Sequence, residues 1–512
     1  MNNPLASPPE YEDLIYNLPN HSISLLNVLV YIPLRTQIGK IFLKKTIMLT
    51  ETLRSHIDNI WESLRTISIE PITIIEQISF LMLARLLDLT HDNLKPTQFT
   101  QKPQTMRWFH FKNLNGDDML KVVRDEVFPH FEMIGGNVGK YMANAQLKID
   151  NPHLLKSVIH TIDKLPLMDN ESAGELYKYL LSKLTSAGMK GQFRTPNHIV
   201  RFMVEMLNPQ PHQIIGDPVC GTGGFLVGVL QYLKENNIQN DNKLYGLDFD
   251  ATMLRLAAIN LMLHGIKTPN LYYQDLLNND FYKNFPELSN NYFDVILANP
   301  PLGSSFNNEA VHASPIGKVR TKKTELLFIA KILNMLKPGG TAAMIVPNSV
   351  LFASSKAHTA LRQLLVEKNQ LVAVISLPSG VFQPYTSVAA TLLIFTKRNG
   401  DDKYTDNVFF YDVQADGFSL DNKRESIKTN DLPDVLQHWK AKKIKQNTAR
   451  TAKAFYVPIQ EIRDNKYNLL INQYKERVYE KMIYEPPLEI LARMKKIEAE
   501  IQEDLKELEG ML

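Results

Sequence analysis

The sequence predicts an α/β protein: a doubly wound, mostly parallel, seven-stranded sheet, preceded by an all-helical domain and followed by a helical tail. Three observations predict it. Between residues 187 and 400, short apolar runs alternate with helix-spaced stretches, as expected of parallel strands joined by crossover helices and buried on both faces. Upstream, apolar residues recur at three- and four-residue spacing without strand-like alternation. Downstream, the chain turns polar and basic and ends in one long amphipathic stretch.

Size and composition bound the function. A chain of 512 residues can bury more than one core, and 44% hydrophobic with 22% charged residues is ordinary for a globular protein. The single cysteine, Cys220, excludes a disulfide framework and fits a reducing cytoplasm. A net charge of +3 gives no strong overall field, so contact with nucleic acid has to come from local patches or from partner subunits. The 13 histidines show no metal-ligand spacing, and no repeat period is evident.

The elements follow in order. Residues 1–47 read as an extension outside the fold. Their apolar run at 25–32 is too short to span a bilayer and lacks a signal-cleavage pattern, and a regular pattern begins only at Met48, an alternative start. Residues 48–186 form the helical domain: Leu53, Ile57, Ile60, Trp61, Leu64 and Ile67 share a helical face, and 72–87 is a strongly apolar helix. Further helical stretches lie near 117–132, 153–165 and 173–184. In the domain at 187–400, strands are expected at 213–218, 244–247, 270–273, 293–298, 342–346, 372–376 and 389–395, the last antiparallel at one edge. Helices are expected at 223–235, 252–264 and 324–336. The region 401–512 carries Lys440, Lys442, Lys443, Lys445, Arg450 and Lys453. It ends in a helix whose Ile490, Met494, Ile497, Ile501, Leu505 and Leu508 form one seam, suited to a partner helix or to folding back on its own domain.

Five short motifs carry chemistry. Asn299-Pro300-Pro301-Leu302 ends the strand at 293–298, because neither proline donates a ladder hydrogen bond. A side-chain amide and fixed carbonyls at a strand's carboxyl end suit the task of holding an exocyclic amino group by its hydrogens while its nitrogen attacks a methyl donor; taken alone, the tetrapeptide is also a rigid turn. Upstream, Asp217-Pro218-Val219-Cys220-Gly221-Thr222-Gly223-Gly224 joins the first strand to a helix, its glycines letting backbone approach a ligand. The glycine spacing is not that of a dinucleotide fingerprint, and Asp217 would repel a pyrophosphate but suits the cationic amino-acid portion of S-adenosylmethionine. Asp248 and Asp250 follow the second strand, where a carboxylate can accept ribose hydroxyls or cap the next helix. Gln274-Asp275 ends the third strand, where an amide or carboxylate can read an adenine amino group. Finally, Gln192-Phe193-Arg194-Thr195-Pro196-Asn197 precedes a helix that Thr195 or Asn197 can cap. Cys220 reads as a small residue packed in its turn.

Taken in this order, the motifs resemble the γ-ordered N6-adenine DNA methyltransferases, and more narrowly the modification (M) subunit of a type I restriction–modification system. Supporting stretches are Leu336-Lys337-Pro338-Gly339-Gly340, Leu377-Pro378-Ser379-Gly380-Val381-Phe382 and Asp416-Gly417-Phe418-Ser419-Leu420-Asp421. The resemblance implies the S-adenosylmethionine-dependent methyltransferase fold. It implies cofactor contacts from Gln192, Phe193, Arg194, Thr195, Pro196, Asn197, Asp217, Gly221, Thr222, Gly223, Gly224, Asp248 and Asp275, and target-base chemistry at Asn299, Pro300, Pro301 and Leu302, with no metal. Three positions depart from the family pattern: Arg194 where an uncharged residue is common, Asp248 where Glu is usual, and Leu302 where Phe or Tyr stacks on the base.

The resemblance further implies double-stranded DNA with a flipped adenine as substrate. It also implies a specificity (S) subunit, a second M subunit and a restriction (R) subunit as partners, and no membrane association. The chain has no large insertion able to read a DNA sequence, so a separate specificity subunit is expected on the tail and helical domain. Two other readings stay open: a catalytically weak cofactor-binding assembly subunit, and a methyltransferase acting on a protein glutamine amide.

Overall fold

Helix α1 (Glu51–Arg65) starts at Thr50, whose hydroxyl accepts the Leu53 N–H at 3.3 Å, and buries Ile57, Ile60, Trp61 and Leu64 at the expected spacing. Helix α2 (Pro71–Leu89) opens on a proline that lacks only an N–H the helix would not use. It is buried around most of its circumference and forms the centre of the domain, with Phe80 packed against Phe128 and Phe131 at centroid distances of 5.5 and 5.8 Å. Around it lie α3 (Gly136–Met142), α4 (Pro152–Ile162) and α5 (Asn170–Ser186). This computed structural model describes residues 50–90, 104–186, 195–238, 243–278, 280–301, 321–398, 406–441, 449–476 and 487–511. The extension expected at 1–47, Met48, Gln192, Phe193, Arg194, Leu302 and Lys442, Lys443 and Lys445 lie outside them.

The second part is the expected sheet, with two more strands. β1 (Ile215–Asp217), β2 (Leu244–Asp248), β3 (Asn270–Tyr273), β4 (Phe293–Ala298), β5 (Leu336–Pro347), β6 (Gln370–Ser376) and β7 (Ala390–Thr396) correspond to the seven expected runs. β8 (Asn407–Asp412) and β11 (Ala454–Pro458) extend the sheet to nine strands, in the order β11-β8-β6-β7-β5-β4-β1-β2-β3. β9 (Asp416–Phe418) and β10 (Ser426–Asn430) form a separate antiparallel pair. The sheet is mostly parallel. β7 is antiparallel to both β5 and β6, as expected, but it lies between them and not at an edge. All of its residues but Thr396 are buried, so its apolar run is satisfied only where both faces are covered.

Alternate residues of each central strand face opposite cores. Val295 and Leu297 of β4 join one cluster, while Ile296 and Ala298 join the other; Phe293, beyond an irregularity in the ladder, also joins the second. The first face is covered by α6 (Asn197–Leu207), α7 (Gly224–Glu235) and α8 (Ala251–Leu263), and its core runs without a break into the helical domain. The second face is covered by α9 (Thr324–Met335) and α10 (Lys356–Gln363).

The helical domain also closes the sheet at β3. The Tyr141 hydroxyl donates to the Leu271 carbonyl at 3.0 Å and accepts the Tyr273 N–H at 2.8 Å, while Asn137 donates to the same carbonyl at 3.2 Å. Two side chains of α3 thus supply hydrogen bonds that a further strand would otherwise make. Fully buried Tyr177 of α5 meets the Ser79 hydroxyl at 2.9 Å and the Leu256 carbonyl at 3.3 Å, tying α2, α5 and α8 together.

Candidate active site

The chain leaves β1 for β2 on one side and returns after β3 to place β4 on the other, so the carboxyl ends of β1 and β4 flank a topological switch point. Asp217 ends β1 and Asn299 follows β4, which brings the two main motifs to one crevice.

The glycine loop is built to expose backbone. Gly221 and Gly223 have φ of +50° and +79°, conformations an L side chain rarely adopts, and Gly223 is the N-cap of α7. Asp248 holds the loop: its carboxylate accepts the Gly221 N–H at 2.8 Å and the Asp250 N–H at 2.9 Å. Asn260 supports the loop from behind, donating to the Thr222 carbonyl at 2.8 Å. Asp250 takes the capping role, accepting the Thr252 and Met253 N–H groups at 2.8 and 3.3 Å, which leaves Asp248 to the crevice.

Asp217 is 1% exposed and accepts the Val219 N–H at 3.2 Å. Burial pushes its carboxyl well above the usual range, and the nearby Asp248 carboxylate pushes in the same direction. Asp248 is raised as well, chiefly by burial, against the pull of its backbone donors. Cys220 is buried, and burial pushes its thiol well up, so it is a packed residue and not a nucleophile. Asp275 is half-buried and turned to its own loop, accepting the Leu277 N–H at 2.9 Å. Nearby Lys331, over the Tyr282 ring at 3.9 Å, is pushed down to about 8 by burial, while the Asp275 charge opposes the shift.

Pro300 is buried and Pro301 exposed. The Asn299 amide Nδ2 donates to the Thr195 hydroxyl at 2.9 Å, while its Oδ1 is buried and accepts no hydrogen bond. Thr195 therefore does not cap α6, whose N-cap is Pro196 with no side-chain capping bond. His198, in the first turn of α6, is anchored instead: its Nε2 lies 2.8 Å from Asp416 Oδ2, and its ring is 4.5 Å from that of Phe418. Asp416 is fully buried and also pairs with Arg424. Burial opposes its ionisation, but the His198 and Arg424 partners outweigh that and hold its carboxyl below the ordinary value.

A cleft open to solvent collects Gly221, Thr222, Asp248, Asn299 and Pro301. Leu181 and Leu184 of α5 form part of its wall. Asn197 and Gly224 face a separate cavity of about 810 Å³ behind the loop. The cleft also contains Phe249, Phe328 and Tyr385, which the sequence reading did not single out. Phe249 had a signal: an aromatic between two acids at a strand tip, here 61% exposed. Tyr385 had only its position after the Gly380 loop.

Positive-φ glycines, a carboxylate tied to the loop and a buried amide oxygen lacking a donor, brought to one crevice, suit a nucleoside carrying a cationic group. Residues 168–482 match the family described as N-6 DNA Methylase, and residues 53–162 match the HsdM N-terminal domain. The chain is 28% identical over 466 residues to the EcoEI methylase subunit of a type I restriction enzyme from Escherichia coli, covering 85% of this chain and 92% of that one. It is 29% identical over 351 residues to the StySPI methylase subunit from Salmonella potsdam, covering 61% of this chain and 63% of the relative's length. The fold is similar to a type I restriction–modification methyltransferase subunit from Streptococcus thermophilus, with a TM-score of 0.67 at 20% identity over 83% of this chain and 99% of that one. With the family match spanning the helical wall, the glycine loop, the Asn-Pro-Pro turn and the strands beyond them, the chain belongs to the N-6 DNA methylase family.

Proposed function

We propose that this chain transfers a methyl group from S-adenosylmethionine to N6 of adenine in a specific DNA sequence, as the modification subunit of a type I restriction–modification complex in the cytoplasm. The observation that carries the reading is the Asn299 amide, held at Nδ2 by Thr195 with Oδ1 lacking a donor. A buried acceptor without a partner costs about 1–3 kcal/mol, which a substrate N–H recovers on binding.

The cofactor supplies an electrophilic methyl group. The glycine loop would admit it by close backbone approach, Asp248 would accept its ribose hydroxyls through lone pairs its backbone donors leave open, and Asp217 and Asp275 would take its amino-acid and adenine ends. Gln192, Phe193, Arg194 and Pro196 would complete that binding segment.

The N6 lone pair of the target adenine is delocalised into the ring and is a poor nucleophile. Asn299 Oδ1 and the Pro300 carbonyl accept the two N6 hydrogens and draw the nitrogen toward tetrahedral geometry, so positioning and electrostatics supply most of the acceleration. No general base is needed before attack, because the N6 proton becomes acidic once the methyl group has transferred. The base leaves the duplex to reach Asn299.

Sequence recognition belongs to a specificity subunit docked on the helical domain and on α11 (Pro487–Met511), which buries none of its residues against the rest of the chain. A second copy of this chain and a restriction subunit complete the complex. Transfer of labelled methyl groups to host DNA by this chain with its specificity subunit tests the reading. Site-specific methylation by the chain alone would refute the division of labour.

Leu302 favours a second reading, a catalytically weak assembly subunit. An aromatic there is worth about 1–3 kcal/mol in base stacking, and leucine offers no π face. Cofactor binding without transfer, in the presence of the specificity subunit, would select it, and recovery of activity in Leu302→Tyr would identify the missing ring as the cause.

A further inference from the structure

We infer that Asn260 is a positioning residue for the cofactor: from behind the glycine loop its amide fixes the Thr222–Gly223 peptide, and with it the backbone presented to S-adenosylmethionine. The inference rests on the cofactor reading. Asn260 Nδ2 donates to the Thr222 carbonyl at 2.8 Å. A backbone carbonyl can only accept, so this bond sets which end of the amide faces the loop. The N–H of the same peptide, on Gly223, donates to the Cys220 carbonyl at 2.8 Å, so the peptide plane is tied at both of its polar ends. Glycine carries the most backbone freedom, and Thr222 sits between Gly221 and Gly223, both at positive φ, so this turn needs such a tie. Asn260 lines the cavity behind the loop, whereas Gly221 and Thr222 line the cleft in front of it. The side chain therefore acts through the backbone and not on the cofactor itself.

The support is itself fixed. Asn260 is 4% exposed and follows Ala257 by one turn of α8, and a Cβ at Gly223 would lie 3.5 Å from that of Ala257, so the loop rests on this face of the helix. The Asn260 carbonyl accepts the His264 N–H at 3.1 Å and meets the Nδ1 of the same residue at 2.8 Å. Because that carbonyl only accepts, Nδ1 carries the ring proton, and burial pushes the imidazole below its ordinary value. The bare Nε2 is buried against Gly174 of α5, where a Cβ would come within 2.3 Å of it. Two further contacts bind α8 to the helical domain: Tyr177 of α5 donates to the Leu256 carbonyl at 3.3 Å, and Arg255 pairs with Glu76 of α2 at 2.7 Å. Asn260 thus holds the cofactor loop from a helix anchored in the neighbouring domain, as a positioning group must.

Calorimetric titration of S-adenosylmethionine into the full chain, with methyl-transfer kinetics on the full chain and its specificity subunit, tests the assignment. Asn260→Leu keeps the shape and removes the donor. It should weaken the Kd and raise the KM for the cofactor by about tenfold or more, with kcat at saturating cofactor changed by less than about threefold, because Asn299 is untouched. Asn260→Asp supplies a signature that a packing defect would not. Its neutral carboxyl can donate to the Thr222 carbonyl, its carboxylate cannot, and burial raises the value at which one becomes the other. Relative to the parent at each pH, its cofactor affinity should be close to parental near about pH 5 and lower by about tenfold or more at about pH 8. Taking the ratio removes the titration of Lys178, His198, Arg201, Glu235 and His264 around the same cavity, which both proteins share. Parental affinity in Asn260→Leu, or an Asn260→Asp ratio that does not change with pH, would overturn the inference. Should Asn260→Leu fail to fold, the Asn260→Asp ratio decides alone. If the parent binds no S-adenosylmethionine, the cofactor reading fails and takes the inference with it; parental binding with unaltered variants overturns the inference alone.

Discussion

At Asn299 the two polar ends of a single side chain differ: Nδ2 is committed to Thr195 and Oδ1 is uncommitted. Asn299→Ala removes both ends and should lower methyl transfer by at least about a hundredfold while leaving the cofactor affinity nearly unchanged, since only transition-state contacts are lost. Full activity in that variant would sink the mechanism. Asp217 and Asp248 make a different prediction. Burial raises both carboxyls in the free chain, whereas a positive charge bound beside them favours their ionised forms and lowers them again. Binding of S-adenosylmethionine should therefore release protons, and affinity should fall as pH drops through the raised carboxyl values. Titrations in buffers of different ionisation enthalpy measure the release, and pH-independent binding would count against the carboxylate contacts.

At the scale of elements, the β9–β10 hairpin acts as a fastener for the first turn of α6. Its buried carboxylate holds His198 and Arg424, so Asp416→Ala would leave two polar groups without their acceptor and should cost about 3–5 kcal/mol in unfolding free energy. The sign of the pH effect follows from the depressed carboxyl: its contribution is full above the unfolded value of about 4 and is lost as pH falls through the lower folded value. Denaturant unfolding of the parent and of Asp416→Ala, compared between pH 7 and pH 3, should show the gap narrowing in acid. Helix α11 is the opposite kind of element. Ile490, Met494, Ile497 and Leu508 are 39, 61, 50 and 58% exposed, so no fold-back buries the seam. Deleting residues 487–512 should leave the melting temperature of the remaining chain unchanged and abolish co-purification with a specificity subunit.

At the scale of the whole molecule, the helical domain and the sheet share one core, and α5 forms part of the cleft wall. Tyr141 is the polar part of that junction, with its hydroxyl pushed up to about 12 chiefly by burial. Tyr141→Phe strips the Leu271 carbonyl and the Tyr273 N–H of this partner and should cost about 1–3 kcal/mol. Hydrogen exchange at the Tyr273 amide should accelerate in the variant; an unchanged rate would mean that the hydroxyl does not seal the edge. Among the described residues no helix is long and apolar enough to cross a membrane.

By itself the sequence determined the fold class, the seven strand runs, the glycine loop, the Asn-Pro-Pro turn and the helical character of the first domain, because each rests on local periodicity or on the backbone chemistry of glycine and proline. Val408-Phe409-Phe410-Tyr411 carried the same signal for β8, masked by the polar drift around it. Only the tertiary structure decided that β7 slots between β5 and β6 and that Asp248 faces the loop while Asp250 caps the helix. It also decided that Thr195 pairs with Asn299, and that His198 reaches Asp416 across 218 positions. The reason is physical: an apolar run states that a strand is buried, not which neighbours bury it. A hydroxyl or carboxylate likewise finds its partner among whatever groups the packed chain brings within about 3 Å.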